Sequence, residues 1–209
     1  HNKALKRDSQ RVAFSSCVGF CGYGVMRKLG SSVGCPLTRR YMLGGKMNEF
    51  EDLESVAPGI RSLSQEDHIA IQRFTIIWSI FEAKFLSYAA SSRRIDARVD
   101  ELADEIFNEA WFEDELNYFK TRYVNQHGLT QYFIGLNLRP NDNPTLVEDV
   151  LLGNVTDGRS QLKACLIIAY RFRNNLFHGE KWAYAIQGQQ DNFNHAVELL
   201  KKCILKFRI

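Results

Sequence analysis

The stretch "SQEDHIAIQRFTIIWSIFEAKFLSYAASS", from Ser64 to Ser92, limits the fold more than any other part of the chain. Its apolar positions Ile69, Phe74, Ile77, Trp78, Phe81, Phe85 and Tyr88 recur every three or four residues, the repeat of a helix and not of a strand. Ser64 followed three residues later by Asp67 reads as a helix N-cap with an acidic first turn. Ile71, Ile76, Ile80 and Leu86 widen the stripe, so burial on more than one side is expected.

The same period returns downstream. A helix is expected from Asp96 to about Trp111, with Val99, Leu102, Ala103 and Ile106 inward, then a short one in "FEDELNYFKTRYVNQ". "LTQYFIGLNL" reads as a short helix or an extended arm, and "RPNDNP" as a loop. Asn143, with Pro144 just inside, opens a helix to about Leu152. In "SQLKACLIIAYRFRNNLFHG", Leu162, Cys165, Ala169, Phe172 and Leu176 are spaced 3, 4, 3, 4, and Gly179 is the natural stop. A last helix covers about Asp191 to Phe207 with Phe193, Ala196, Val197, Leu200, Ile204 and Phe207 as its stripe. The expectation is an all-α bundle of four to five main helices behind an irregular N-terminal extension.

Residues 1–46 differ from the rest. They hold nine Lys+Arg and a single acid, Asp8, together with seven of the 14 glycines, and "FSSCVGFCGYGV" has neither period. A signal peptide is disfavoured because Gly, Ser and Cys interrupt the apolar stretch and no small-residue cleavage site follows. "MNEFEDLE" from Met47 reads like a native start, so residues 1–46 are expected to be a disordered or non-native extension, and 47–209 the domain. Net charge is +8 over residues 1–46 and −5 over the remainder. The body is mildly acidic and nothing in its bulk charge argues for a non-specific nucleic-acid coat, so any RNA or DNA contact has to be local.

Of five cysteines, Cys165 and Cys203 fall in apolar helical patterns and read as reduced core residues. Cys17, Cys21 and Cys35 lack a Cys-x-x-Cys pair or His partners, so no metal is expected there. His68, His127 and His195 are dispersed singles. No apolar run approaches the ~20 residues of a membrane span, and a cytoplasmic protein without membrane contact is the expectation.

The chemistry gathers in "YRFRNNLFHGEKW", Tyr170 to Trp182. Helical spacing puts Arg171, Asn174, Asn175 and His178 on one side, with Arg173 close by and the apolar stripe on the other. An imidazole with a pKa near ~6.5 can take a proton from a ribose 2′-hydroxyl or give one to a leaving oxygen. An arginine fork can hold a phosphate and stabilise charge growing on it, and an asparagine can orient either. No acidic cluster suggests a metal, which favours a route through the 2′-hydroxyl of RNA. A solvated helix end, with a histidine complementing the helix dipole, accounts for the same residues. Glu82, an acid embedded in apolar "WSIFEAKF", is costly to bury unpaired, and an arginine of the motif helix is its obvious partner; a surface position beside Lys84 or Lys120 is the alternative. Lys181 can add a phosphate contact.

Arg173-Asn174-x-x-x-His178 resembles the Arg–(four to six residues)–His signature of the HEPN superfamily, in which Asn often follows the arginine. The tail "LFHGEK" is similar to members as well, as is a motif placed late in a long helix with one more helix to close. The resemblance covers about Ser64 to Ile209. It is most specific in the motif helix and in "WSIFE", while 112–155 matches nothing and reads as an insertion. It implies a compact HEPN-like helical domain and, in active members, a metal-independent endoribonuclease leaving a 2′,3′-cyclic phosphate and a 5′-hydroxyl. It also implies a homodimer whose motifs meet in one composite cleft, no cofactor, and service in toxin–antitoxin or antiviral defence under an antitoxin or other regulatory partner.

Carried over, Arg173 is the phosphate-binding arginine, Asn174 its polar partner and His178 the acid/base. Arg171 satisfies the spacing too, with Asn175, Lys181 and Glu82 in support. A non-catalytic HEPN-like module binding a protein or nucleotide, and a helical adaptor with no site, are the competing readings.

Overall fold

The computed structural model describes residues 53–55, 57, 59–107, 111–178 and 188–207, with the side chain of His178 excepted. The expectations for residues 1–46, with Cys17, Cys21 and Cys35, and those for Gly179 and Lys181 lie outside the described residues.

Seven α-helices and one two-stranded hairpin make up the described part, an all-α bundle. Helix α1, Gln65–Phe85, starts on Ser64, whose hydroxyl accepts from the Asp67 amide at 3.0 Å while the Asp67 carboxylate accepts from the Ser64 amide at 3.0 Å. This reciprocal box satisfies two donors at once and fixes where the helix begins. Ala70, Phe74, Trp78, Phe81 and Phe85 are its buried face. Leu86 is buried as well, and Ile71 and Ile77 are partly so, but Ile69, Ile76 and Ile80 are exposed. The wide stripe thus does not mean burial on several sides: α1 is an outer helix with one face on the bundle. Tyr88 is also exposed, because Ser87 and Tyr88 take left-handed φ values of 54° and 60° just past the helix end.

Helix α2 is Ser92–Asp100, shorter than expected; a 3-10 turn at Asp104–Phe107 follows, and Ala103 is exposed. Arg159 ends α2 from outside, donating to the Leu102 carbonyl at 2.8 Å and to that of Val99, with its guanidinium 4.7 Å over the Phe107 ring. Helix α3, Glu113–Tyr123, leads into strands β1, Val124–Asn125, and β2, Gly128–Leu129, an antiparallel pair turning through Gly128 at φ 105°. A single turn of helix, α4, Gln131–Ile134, follows, then a 3-10 turn at Pro140–Asp142 and α5, Pro144–Leu152. Helix α6 is Gly158–His178 and α7 is Gln190–Lys206.

Helix α1 lies along α7, while α6 packs on α2 and α5 and touches α3 and α7. The five expected stripe residues of α6 are all buried, and so is every residue from Ala164 to Ala169. A helix apolar on all sides is a central one. Its expected division into an apolar side and a polar side does not hold: neighbours surround it, and its polar residues must find partners inside the protein. Cys165 and Cys203 are free and buried, and burial pushes both thiols far up. Buried Glu115 on α3 receives Lys202 of α7 at 2.8 Å, and the Tyr118 ring stacks on His195 at 3.8 Å.

Candidate functional site

The motif residues occupy the last two turns of the central helix, and they divide between two neighbours. Arg171 and Asn175, four residues apart, face the segment that follows α4. Arg171 Nε donates to the Leu136 carbonyl at 3.0 Å, Nη2 donates to Asn175 Oδ1 at 3.3 Å, and Nη1 lies 3.3 Å from Asp142 Oδ2. Asn175 Nδ2 reaches the Gly135 and Leu136 carbonyls at 3.3 and 3.2 Å. Asp142 also accepts from the Ser92 hydroxyl and, at 2.9 Å, from the Arg139 amide. Arg171 is 3% exposed. Burial pulls its guanidinium below the ordinary arginine value; Asp142 opposes that shift and Arg139 adds to it. This is a buried clamp joining α6, α2 and the 135–142 segment.

Arg173 faces the other way, toward Glu82 of α1, and holds Asn174 beside it. Arg173 Nη1 donates to Asn174 Oδ1 at 3.1 Å, its Nη2 lies 3.9 Å from Glu82 Oε2, and its guanidinium sits 5.3 Å over the Phe177 ring. Glu82 is held in turn by the Trp78 indole, whose Nε1 donates to the same oxygen at 2.7 Å. Trp78 packs on Tyr170 of α6, with ring centroids 6.1 Å apart. Asn174 is buried, whereas the Arg173 side chain is 28% exposed. At 3.9 Å the Glu82 contact is a part-buried ion pair without a hydrogen bond. Arg173 therefore commits one of the five N–H donors of a guanidinium to a hydrogen bond among the described residues.

The expected single polar face thus resolves into two pairs, Arg171 with Asn175 and Arg173 with Asn174. An ideal helix aligns Arg171 best with His178, yet Arg171 is the buried one. Glu82 does stand beside an arginine of the motif helix, and not beside Lys84 or Lys120. The backbone puts His178 at the end of α6, five residues after Arg173. Among the described residues, no group of three or more His, Cys, Asp or Glu is arranged to hold a metal ion, and no helix is long and apolar enough to cross a membrane.

Sequence reading missed three participants. Trp78 stands four residues before Glu82 on one helix face, a spacing that signals an interaction. Asp142 and Ser92 carry no such signal, since they meet Arg171 only through the tertiary fold. No family model, no curated protein and no solved structure matches the chain.

Proposed function

We propose that this chain is a metal-independent endoribonuclease of HEPN type that cuts RNA through the 2′-hydroxyl, acting as a homodimer in a toxin or antiviral-defence role. The observation that carries the reading is the contrast between the two arginines. Arg173 is part-exposed with donors to spare, in the helix that ends five residues later at His178, whereas Arg171 is buried in a clamp. A phosphate needs an arginine of the first kind.

In this reading Arg173 holds the scissile phosphate, and Asn174 and Phe177 fix its guanidinium from two sides. Glu82, anchored by Trp78, limits the swing of the arginine without neutralising it through a tight pair. The 2′-oxygen attacks phosphorus as it loses its proton, the bond to the 5′-oxygen breaks, and the departing oxygen gains a proton. The products are a 2′,3′-cyclic phosphate and a 5′-hydroxyl, with His178 as the acid/base.

The test is cleavage of a mixed RNA pool in EDTA by the wild-type chain, Arg173→Ala and His178→Ala. Wild-type cleavage that drops at least ~100-fold in both variants is expected, in line with the loss of a general acid–base group or an oxyanion donor. Equal cleavage by all three would refute the assignment. The burial of Asn174 and its bond to Arg173 favour a second reading, in which the motif only stabilises the helix end of a non-catalytic partner- or nucleotide-binding module. An intact fold with no cleavage of any RNA supports that one.

A further inference from the structure

The face of α1 that points away from the bundle carries an apolar row that no described residue covers. Ile69, Ile76 and Ile80 are 47%, 56% and 40% exposed. At about 100° per residue they lie within about 40° of one another, opposite the row of Phe74, Trp78, Phe81 and Phe85 that enters the core. Half-buried Ala83 extends the row, and exposed Gln72 and Ser79 border one side of it. On the other side stand Glu66 and Lys84, both exposed and neither in an ion pair among the described residues. They are 18 residues apart, about five helical turns, so they occupy one flank at opposite ends of the row. Arg73, on the same flank, is turned toward α7, where its Nη2 donates to Glu198 at 3.3 Å. An acid in the first turn and a lysine in the last suit the helix dipole, but the dipole makes no demand on the isoleucines between them.

The row is symmetric about Thr75. Glu66 and Lys84 are each nine residues from it, Ile69 and Ile80 are six and five residues from it, and Ile76 is next to it. A contact about a two-fold axis demands this pattern, because whatever residue one copy meets on the other is met in return. We propose that the outer face of α1 binds the same face of a second copy of this chain, with the two helices antiparallel and the axis passing close to Ile76. In that register Ile69 of each copy meets Ile80 of the other, and the two Ile76 side chains meet at the axis. Glu66 of each copy faces Lys84 of the other, because antiparallel helices bring matching flanks together. A parallel arrangement would set Glu66 against Glu66 and Lys84 against Lys84. A different protein could cover the isoleucines, but it would require no symmetry in the row or in its charges. This contact does not depend on RNA cleavage and goes beyond the nuclease reading. Glu82, the partner of Arg173, lies about 120° round α1 from Ile76, and motifs sharing one cleft would meet at the end of α6, a different face.

The test is the mass of the full chain in solution, by sedimentation velocity across a concentration series. The wild type is expected to be a dimer. Ile76→Glu sets two carboxylates together at the axis and is expected to weaken the dimer at least ~100-fold, with unchanged circular dichroism because the position is already exposed. Glu66→Lys and Lys84→Glu each put like charges opposite one another at two places, and each is expected to weaken the dimer roughly tenfold. The double variant Glu66→Lys/Lys84→Glu, and an equimolar mixture of the two single variants, are expected to regain wild-type association, because opposite charges face each other again. A wild type that stays monomeric leaves the face to a different protein and overturns the proposal. So does a dimer unmoved by Ile76→Glu, whose contact lies elsewhere. Charge variants without effect, or whose loss is not regained on combination, overturn the antiparallel register and the proposal with it. Absence of RNA cleavage by the wild type refutes the nuclease reading and leaves the association result standing. Intact cleavage by a monomeric wild type removes this contact alone.

Discussion

Replacing Arg171 with methionine separates a structural arginine from a phosphate-binding one. The substitution keeps most of the apolar stem and removes the charge, so the cost arises at the partners left behind. Three contacts go: the donation to the Leu136 carbonyl at 3.0 Å, the donation to Asn175 at 3.3 Å and the Asp142 ion pair at 3.3 Å. Breaking a buried ion pair by removing one member typically costs about 3–5 kcal/mol. Two features move the expectation to the low end. Arg171 Nη1 makes no aligned hydrogen bond, and Asp142 keeps the Ser92 hydroxyl and the Arg139 amide. Asn175 also retains a carbonyl acceptor on its amide. A loss of about 3 kcal/mol follows; with a urea slope of about 2 kcal/mol per molar, the midpoint falls by about 1.5 M. In the double variant Arg171→Met/Asp142→Asn much of that loss returns, because no unpaired charge remains buried. The assay is a urea double-mutant cycle followed by circular dichroism, with RNA cleavage measured well below the midpoint. A midpoint shift under about 0.3 M with cleavage abolished would refute the reasoning, since Arg171 would then be serving the substrate and not the fold.

Two further outcomes test the framework around the site. Ser64→Ala removes the hydroxyl of the capping box that starts α1 and is expected to cost about 1 kcal/mol, read as a lowered urea midpoint. Asp96 on α2 has a buried oxygen without a hydrogen-bond partner, and burial raises its carboxyl above the ordinary value of 3.8, against the pull of Lys163. The folded state therefore binds the proton more tightly than the unfolded chain, and ionisation of Asp96 subtracts stability as pH rises through its unfolded and then its raised folded pKa. Asp96→Asn is expected to match the wild type below pH ~3 and to gain on it through that window, in unfolding curves taken across the acid range. A constant gap at every pH would show that the carboxyl is not the cause.

Much of the scaffold is legible locally. Ser64 and Asp67 announce the start of α1, and Phe74, Trp78, Phe81 and Phe85 repeat at a spacing that only a helix can bury on one face. The α6 stripe of Leu162, Cys165, Ala169, Phe172 and Leu176 is legible for the same reason, as is Pro144 at the start of α5. The isoleucines of α1 mislead because periodicity reports which residues share a face, not whether a neighbour covers it. The end of α2 escapes detection because Arg159, 59 residues after Asp100, holds the chain there through carbonyls that no side-chain pattern encodes.

The candidate site divides along the same line. Residue types and spacing are sufficient to gather arginines, asparagines and a histidine at the end of one helix, and the Glu82 expectation follows from the cost of an unpaired acid among apolar residues. Which arginine is buried depends on what packs against each side of that helix: Asp142 and the Leu136 carbonyl on one side, Glu82 and Trp78 on the other. Those partners are distant in sequence and meet α6 only when the bundle closes. The sequence by itself determined the helices and the set of polar groups; the tertiary structure alone decided that Arg171 is buried against Asp142 and that Arg173 is part-exposed beside Glu82, because burial and partner geometry are properties of the assembled neighbours.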